Sequence, residues 1–553
     1  MGDIVIALDL GTSGFRAQAV DLDGRKTLST AVTTRHPIPG SNVIDHVNFA
    51  IDVGMERSNR LIMDTLNRLL PMLRVDLEKV TRIAVCGNPF QLSLFQNIEI
   101  RDLAYAGKKM LESLNVVPPK RDGDIVPANG LGLRGMPRAS VIVPPAVGHE
   151  IGADALAMLL VTGAMEQSEP CLVVDYGTNA EMALIKDGKV YSGSAAAGPA
   201  LEGQQIEMGM LAAPYAISEV NMRGQCWDCW VLDERFDPLE GDAVDPRTGE
   251  VKRMGKMHAR AKGITGTGVV AALDCGIRSG LVEMLKVRTP DERLHLQDGI
   301  YVTGDDIMEA GKAIGAIRAG YLTLMRAAGL WVDDVPLSLM SGASGLYVDA
   351  IKAQRVGMVS PGSRKIVQYG NTSLVLAKEL AIGKMELDDL RELARNLRAT
   401  HCMFATSEVF KNIYSIELSL WLYGMPRHAY NDMLDIYGLP HLRLEPIDAI
   451  VERKMSRDIS DVGNEGLAIL QDPGTVLVGE LEGCIMCGKC SDSCPEDALT
   501  IREGDPFPTA TIRSDLCAGT ACKRCELSCP EHAILIKDLE LKENGRRGEV
   551  PLV

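Results

Sequence analysis

No apolar run in this sequence approaches the ~20 residues needed to cross a bilayer, so no membrane span is expected. No long basic block is present either, and the net charge is −16. That balance argues against a nucleic-acid partner, whose phosphates would demand a positive face. The start, Met1-Gly2-Asp3, carries no basic region and no cleavage site, and Ile6 stands where a myristoylated chain wants Ser or Thr. Nothing therefore argues for an oxidising compartment, and structural disulfides are not expected. What the chain does have is length. Its 553 residues, 46% of them hydrophobic, suit three or four domains and more than one buried core.

Cysteine is unevenly spent. Eight of the 14 fall near the C-terminus in two runs, Cys484-x2-Cys487-x2-Cys490-x3-Cys494-Pro495 and Cys517-x4-Cys522-x2-Cys525-x3-Cys529-Pro530. This is the spacing of two-cluster ferredoxins, in which three close thiolates wrap one iron–sulfur cube and the fourth, before proline, reaches the other. The pattern assigns Cys484, Cys487, Cys490 and Cys529 to one 4Fe–4S cluster, and Cys517, Cys522, Cys525 and Cys494 to a second. The four-residue first gap of the second run also opens plant-type 2Fe–2S sites, but its Cys-x3-Cys-Pro ending matches the first run. Four thiolates suit tetrahedral zinc as well, though zinc knuckles usually show two separated CxxC pairs. Oxygen-labile, low-potential clusters imply an anaerobe's cytoplasm and a low-potential electron donor, which the sequence does not identify.

The long N-terminal part opens with a β-branched apolar run over residues 4–8, then Asp9-Leu10-Gly11-Thr12-Ser13-Gly14, then a second strand-like run over 16–22. This reads as a hairpin with a polar, glycine-rich turn. The same grammar returns from Cys171 through Asp175, Tyr176, Gly177, Thr178 and Asn179 to Glu181, with the second aspartate 166 residues after the first. Glycines admit phosphate close to backbone amides, hydroxyls add donors, and a strand-end aspartate can hold Mg²⁺ through water. One such turn is weak evidence for a nucleotide. A pair, each after a buried-type strand, predicts a triphosphate held by two lobes.

Here the chain resembles the actin/hexokinase/Hsp70 superfamily of ATPases. Further motifs follow in order: Cys86-Gly87-Asn88-Pro89, Gly198-Pro199-Ala200-Leu201-Glu202-Gly203, Gly263-Ile264-Thr265-Gly266-Thr267-Gly268, Ser341-Gly342-Ala343-Ser344-Gly345 and Gly370-Asn371-Thr372-Ser373-Leu374. Together they resemble the reductive activators of corrinoid proteins. The form with its ferredoxin part at the C-terminus is similar to the activators that serve methylamine methyltransferases in methanogenic archaea. The resemblance covers about residues 3–426 and 475–545 and implies an α/β, two-lobed ATPase with a C-terminal α+β ferredoxin-like domain. It implies ATP, Mg²⁺ and two 4Fe–4S clusters as cofactors, and a methylamine-type corrinoid protein as partner. The implied activity is ATP-dependent reduction of Co(II) to Co(I).

Carried over by residue, the resemblance makes Asp9, Gly11, Thr12 and Ser13 the first phosphate loop and Asp175, Gly177, Thr178 and Asn179 the second. Gly342, Ala343 and Gly345 would lie against the adenosine, with Ala343 departing from a more usual double glycine. Glu181, just beyond the second turn, is a candidate for positioning the attacking water. Lys312 and Arg318, in a helical stretch over 305–328, are either nucleotide contacts or a solvated face. Gly266-Thr267-Gly268 reads as a packing turn. The lone Cys226-x2-Cys229 pair reads as core or partner-facing, and Cys86, Cys171, Cys275 and Cys402 as buried hydrophobes.

The expected division is 1–155 and 156–426 for the two ATPase lobes, 427–474 for a connector that lets the ferredoxin part move, and 475–553 for that part. Helices are expected over 387–398 and 407–422. Other functions compatible with the residues are an electron injector like the acyl-CoA dehydratase activators, a small-molecule kinase with a regulatory cluster, and a non-enzymatic redox carrier.

Overall fold

The computed structural model describes residues 2–542 apart from 41, 106–107, 149–150, 178, 196–199, 201–202, 204, 235, 284–285, 399–400 and 521. Contacts divide the chain into two units, one of Met1–His149, Ala377–Leu387 and Asp461–Val553, the other of Glu150–Leu376 and Asp388–Ser460.

The first unit is built on a seven-stranded sheet in the order Leu467–Leu470, Lys26–Thr33, Gly14–Asp21, Ile4–Gly11, Val80–Cys86, Ser140–Val143, Asp124–Pro127. Ile4–Gly11 lies in its middle and its residues from Ile4 to Leu8 are all buried. A strand covered on both faces needs this continuous apolar run rather than alternation. Helix Met55–Leu69 buries Leu61, Ile62, Leu66 and Leu69, a 3.6-residue stripe, and keeps its charges on the other face.

The iron–sulfur part belongs to this unit. Its four-stranded antiparallel sheet runs Leu499–Arg502, Thr509–Arg513, Val476–Glu480, Glu540–Leu541, and two short helices, Lys489–Asp492 and Arg524–Ser528, lie within the cysteine runs and carry Cys490 and Cys525. It is tied down by specific hydrogen bonds. Ser514 Oγ donates to the Pro37 carbonyl at 2.7 Å, Gly40 N–H to the Cys517 carbonyl at 2.9 Å, and Thr65 Oγ1 to the Pro473 carbonyl at 2.7 Å. Arg57 donates to the carbonyls of Lys537 and Leu539, both at 2.9 Å.

Within residues 427–474, expected to form a connector that lets the ferredoxin part move, two short strands join the sheets. Ile450–Arg453 extends the sheet of the second unit, and Leu467–Leu470 pairs in parallel with Lys26–Thr33 in the first. Strands of four residues at a sheet edge carry no local periodicity to read, because the partners that fix them, Lys365–Gln368 for the first and Lys26–Thr33 for the second, lie far away in sequence.

The second unit has a six-stranded sheet in the order Ile450–Arg453, Lys365–Gln368, Leu337–Ser341, Cys171–Tyr176, Ala180–Lys186, Lys189–Ala195. From its far edge this repeats the first sheet: three antiparallel strands, then two parallel ones. The sequence repeat is therefore a repeat of topology. A second, five-stranded sheet contains Cys226–Leu232, where Cys226 is partly exposed and Cys229 buried. Three residues apart on a strand, the two thiols face opposite sides, so they share no redox or metal site.

Helices Leu387–Arg398 and Glu408–Tyr423 form where the apolar spacing predicts them. The second packs on Gly304–Ala327, where Gly311 and Gly315 leave room for Trp421 and Glu417. Arg318 on the long helix is committed there. It donates to Glu417 Oε1 at 3.2 Å and to the Val356 carbonyl at 2.6 Å, and Tyr430 Oη also donates to Glu417. Lys312 donates to Glu309 at 2.6 Å on the same helix. Arg318 is thus held in a buried ion pair rather than as a nucleotide contact, and Lys312 lies on the exposed surface of its own helix.

Candidate active site and iron–sulfur centre

The first hairpin places Asp9 opposite Arg16 and Gly11 opposite Gly14. Asp9 is 4% exposed, and Arg16 Nη1 lies 3.2 Å from its Oδ2. Arg16 was not singled out by the sequence motif, because an arginine on the return strand carries no spacing signature. Strand Val80–Cys86 runs parallel to Ile4–Gly11 with Cys86 beside Asp9, which delivers the next motif residues to the turn. Asn88 caps helix Pro89–Gln96 through the Gln91 N–H and donates from Nδ2 to Thr12 Oγ1 at 3.2 Å. Ser13 stands in the same turn.

The second hairpin places Asp175 opposite Glu181 and beside Ser341 of the parallel strand. Ser341 Oγ donates to Asp175 Oδ2 at 2.8 Å, and Thr372 Oγ1 approaches the same oxygen at 3.5 Å. Two separate motifs thus converge on one carboxylate. Gly342, at φ 81°, sits so close that a Cβ would lie 2.8 Å from Asp175 Oδ1, and a Cβ at Gly345 would lie 3.0 Å from the Tyr176 ring. Their glycines are thus explained by packing on strand Cys171–Tyr176, with Ala343 between them on helix Gly342–Tyr347. Gly177 and Asn179 complete the described turn, whose backbone closes through Gly177 N–H to the Asn179 carbonyl at 3.1 Å. Thr178 lies outside the described residues, as does most of the motif from Gly198 to Gly203. The Gly263–Gly268 motif is spent on capping helix Gly266–Arg278 through Thr265.

Glu181 is buried and accepts from Ser194 Oγ at 3.3 Å. Burial, followed by the nearby charges of Asp154 and Asp175, pushes its carboxyl well above the usual glutamate range. Asp154 is a second acid the sequence motif does not reach.

In the iron–sulfur part, Cys484, Cys487, Cys490 and Cys529 line one cavity of about 120 Å³, closed by Ile485, Met486, Ile501 and Pro530. The cysteine before proline is thus brought from the second run to the first, and four thiols in one cavity, whose lining also includes Ser491 and Glu531, fit a 4Fe–4S group. On the other side, Cys522 and Cys494 lie near enough to Cys517 and Cys525 for their charge to raise the proton affinity of those two thiols. Burial dominates that effect, pushing Cys517 up to about 12 and Cys525 to about 11. Thiols so placed hold their protons unless a metal centre takes them as thiolates.

Comparison with known proteins places these features in context. The C-terminal, ASKHA domain of RACo matches residues 169–431, the RACo middle region residues 4–168, and a 4Fe-4S dicluster domain residues 483–533. The chain is 48% identical over 517 residues to the Co(II) methylated amine-specific corrinoid protein reductase of Methanosarcina barkeri, spanning 93% of this chain and 95% of that one. It is 26% identical over 426 residues to the corrinoid activation enzyme RamQ of Eubacterium limosum, spanning 74% and 69%. Among solved structures, a reductive activator for corrinoid, iron–sulfur protein shares the fold, with a TM-score of 0.60 at 22% identity over 75% of this chain and 65% of that one. No helix among the described residues is long and apolar enough to cross a membrane.

Proposed function

This chain belongs to the family of corrinoid-protein reductive activators, and from that premise we propose that it couples ATP hydrolysis to one-electron reduction of a corrinoid protein from Co(II) to Co(I). The acceptor is a methylamine-type corrinoid protein of a methanogen's methyltransferase system, and the setting is an anaerobe's cytoplasm. One observation carries the reading. Duplicated aspartate hairpins and an eight-thiol iron–sulfur part occur in one chain that is 48% identical, over 93% of its length, to a protein named for that reduction.

The residues divide the labour. Asp9, Gly11, Thr12 and Ser13 serve the phosphates in the first unit, and Asp175, Gly177, Thr178 and Asn179 in the second, with the aspartates placed to hold Mg²⁺ through water. Gly342, Ala343 and Gly345 border the adenosine side. Glu181, whose burial raises its affinity for a proton, orients the attacking water and takes the proton it loses. Cys484, Cys487, Cys490 and Cys529 hold one 4Fe–4S cluster and Cys517, Cys522, Cys525 and Cys494 the other; when bound, these clusters supply one-electron carriage from an external low-potential donor.

An uphill electron explains the need for ATP. Each ~59 mV against a one-electron couple is a tenfold penalty in equilibrium. Nucleotide energy offsets it only by favouring a state of the complex in which cobalt accepts the electron more readily, so ATP must change the affinity for the corrinoid protein.

The test is anaerobic. Iron-reconstituted protein, a strong reductant and a Co(II) methylamine-type corrinoid protein are mixed, and Co(I) absorbance is followed with and without MgATP. Co(I) forming only with MgATP is the expected result. Asp175→Ala should lose this activation with cluster absorbance intact, and Cys490→Ala should lose a cluster while ATP is still hydrolysed. Co(I) formed equally without ATP would refute the coupling. Intact clusters and ATP turnover with no Co(I) would mean another acceptor, and phosphate appearing on a small molecule would mean a kinase.

A further inference from the structure

Between the first phosphate turn and the second cysteine run lies a buried polar chain that neither the nucleotide nor the clusters require for ligation. His36 is 5% exposed, and His46 and Gln91 are fully buried. The imidazoles stack at 4.1 Å between ring centroids. Gln91 bridges them, its Oε1 3.1 Å from His36 Nε2 and its Nε2 2.9 Å from His46 Nδ1. The Ile38 N–H donates to His36 Nδ1 at 3.1 Å, which assigns the protons along the chain. His36 must carry its hydrogen on Nε2 and donate to Gln91, and Gln91 must donate to His46, so both rings are neutral. Burial keeps them so, holding His46 at about 4 and His36 well below the usual histidine range.

Each end of this chain meets a working part. At the nucleotide end, Asn88 accepts from the Gln91 N–H at 2.9 Å and donates to Thr12 Oγ1 at 3.2 Å. Phe15, the residue after the turn, packs edge-on against His36 at 5.0 Å. At the cluster end, His36 and His46 flank the segment from Pro37 to Gly40. That segment accepts from Ser514 Oγ at the Pro37 carbonyl and donates from Gly40 N–H to the Cys517 carbonyl at 2.9 Å. The Pro39 carbonyl presses on Gly519, where a Cβ would lie only 3.2 Å away. Gly519 N–H in turn points at Cys517 Sγ from 3.4 Å. Hydrogen bonds to ligand sulfurs and access of solvent set the potential of an iron–sulfur cluster, so whatever moves Pro37 to Gly40 retunes that cluster.

We propose that His36, Gln91 and His46 are positioning residues that couple nucleotide occupancy of the first phosphate turn to the potential of the cluster held by Cys517. The inference rests on the assignment of that turn to nucleotide and of Cys517 to a cluster. Nucleotide drawing Thr12 toward phosphate shifts Asn88 and the first turn of helix Pro89–Gln96, and Gln91 carries the shift to both rings. The bridging hydrogen bonds and the stacked, buried rings transmit it, since side chains in close-packed contact move together.

Coupling of this kind is reciprocal: nucleotide changes the cluster's affinity for an electron by the factor by which the electron changes the protein's affinity for nucleotide. The experiment uses the full-length, iron-loaded protein and a non-hydrolysable MgATP analogue, adenylyl imidodiphosphate. Its dissociation constant is measured with clusters oxidised and reduced, and each cluster is titrated by electron paramagnetic resonance with and without it. We expect a tenfold or larger difference in affinity, matched by a shift of ~59 mV per tenfold in one cluster only.

Gln91→Met keeps the volume and removes both bridging bonds; it should retain cluster content and analogue binding and abolish the shift. Should that variant fail to fold, His36→Leu removes the donation to Gln91 and is read in the same way. Equal affinity in both redox states of the native protein, or a shift that survives the variants, would overturn the inference and leave the activator reading standing. No analogue binding, or no clusters, would overturn both, and the first of these measurements separates the cases.

Discussion

Across from Asp9 the neighbouring strand places Arg16; across from Asp175, at the matching position of a sheet with the same strand order, it places Glu181. One hairpin thus sets a guanidinium 3.2 Å from its aspartate, and the other sets a second acid whose carboxyl is pushed well up by burial, Asp154 and Asp175. A duplicated scaffold has been given two electrostatic tasks. The first hairpin is suited to holding charge, because a cation stabilises both Asp9 and an incoming phosphate. The second is suited to moving a proton, because a carboxylate with a raised pKa is a better base.

The comparison is broken most directly at Glu181. Glu181→Gln keeps the shape and the Ser194 contact but cannot take a proton, so ATP hydrolysis should fall by about 10²- to 10⁴-fold. Nucleotide binding should persist. Phosphate release and analogue titration on the same sample measure the two, and a hydrolysis rate near that of the native protein would reduce Glu181 to a buried structural acid.

A smaller loss is expected at Arg16. Arg16→Gln leaves Asp9 buried beside a neutral amide, and losing a charge-assisted interaction of about 1.5–3 kcal/mol corresponds to roughly 10- to 100-fold weaker nucleotide binding. Turnover at saturating ATP should suffer less than in Glu181→Gln. If instead turnover collapsed while binding held, the two hairpins would have exchanged roles.

Much of this contrast was legible in the sequence, and the part that was not has a physical reason. Asp9 and Asp175 are announced by glycine-rich turns after apolar strands, and the eight cysteines proposed as cluster ligands by their spacing within two runs, because such spacing is a local signal. Arg16 faces Asp9 from the return strand of the same hairpin with no motif of its own. Asn88 and Ser341 stand in legible motifs, but their contacts with Thr12 and Asp175, like that of Asp154 with Glu181, join segments far apart in sequence. The strands Ile450–Arg453 and Leu467–Leu470 escaped for the same reason, as did the commitment of Arg318 to Glu417, which only the packing of two helices through Gly311 and Gly315 reveals. The turn carried the chemistry into view, and the neighbours that tune it arrived with the fold.

The units should also respond to pH with opposite sign. In the second unit the folded Glu181 keeps its proton to higher pH than the unfolded chain does. The native state then binds more protons, and stability falls as pH rises above the ordinary glutamate range. In the first unit His46 is held at about 4 against 6.5 when unfolded, so its contribution is complete above 6.5 and is lost as pH falls toward 4. Each effect should move a melting midpoint by a few degrees. Hydrolysis should rise with pH on the Glu181 limb. Glu181→Gln should flatten the alkaline side of the stability curve and leave the acid side, to which His46 and His36 both contribute, in place.

The finest distinction lies in the turns themselves. A Cβ at Gly11 would lie 3.1 Å from the Gly14 carbonyl oxygen and 3.3 Å from Arg16 Nη1, whereas at Gly177 the nearest atoms are the Asn179 carbonyl oxygen at 3.5 Å and Asp175 Oδ1 at 3.9 Å. The first turn is closed in by both the Gly14 carbonyl and the Arg16 guanidinium that reaches Asp9, whereas among the described residues nothing comes nearer than 3.5 Å to a Cβ at Gly177. Gly11→Ala must displace either the carbonyl or the guanidinium by a few tenths of an ångström and should cost about 1 kcal/mol of stability. Gly177→Ala meets only ordinary contacts and should stay within about 0.5 kcal/mol, since the loss of unfolded-chain freedom works in its favour. Denaturant midpoints of the two variants give the comparison, and repeating Gly11→Ala in the Arg16→Gln background identifies its cause. The cost should shrink if the guanidinium is what the new methyl meets, and an unchanged cost would place the constraint in the Gly14 carbonyl, making the tightness of the first turn a property of its backbone rather than of the charge it carries.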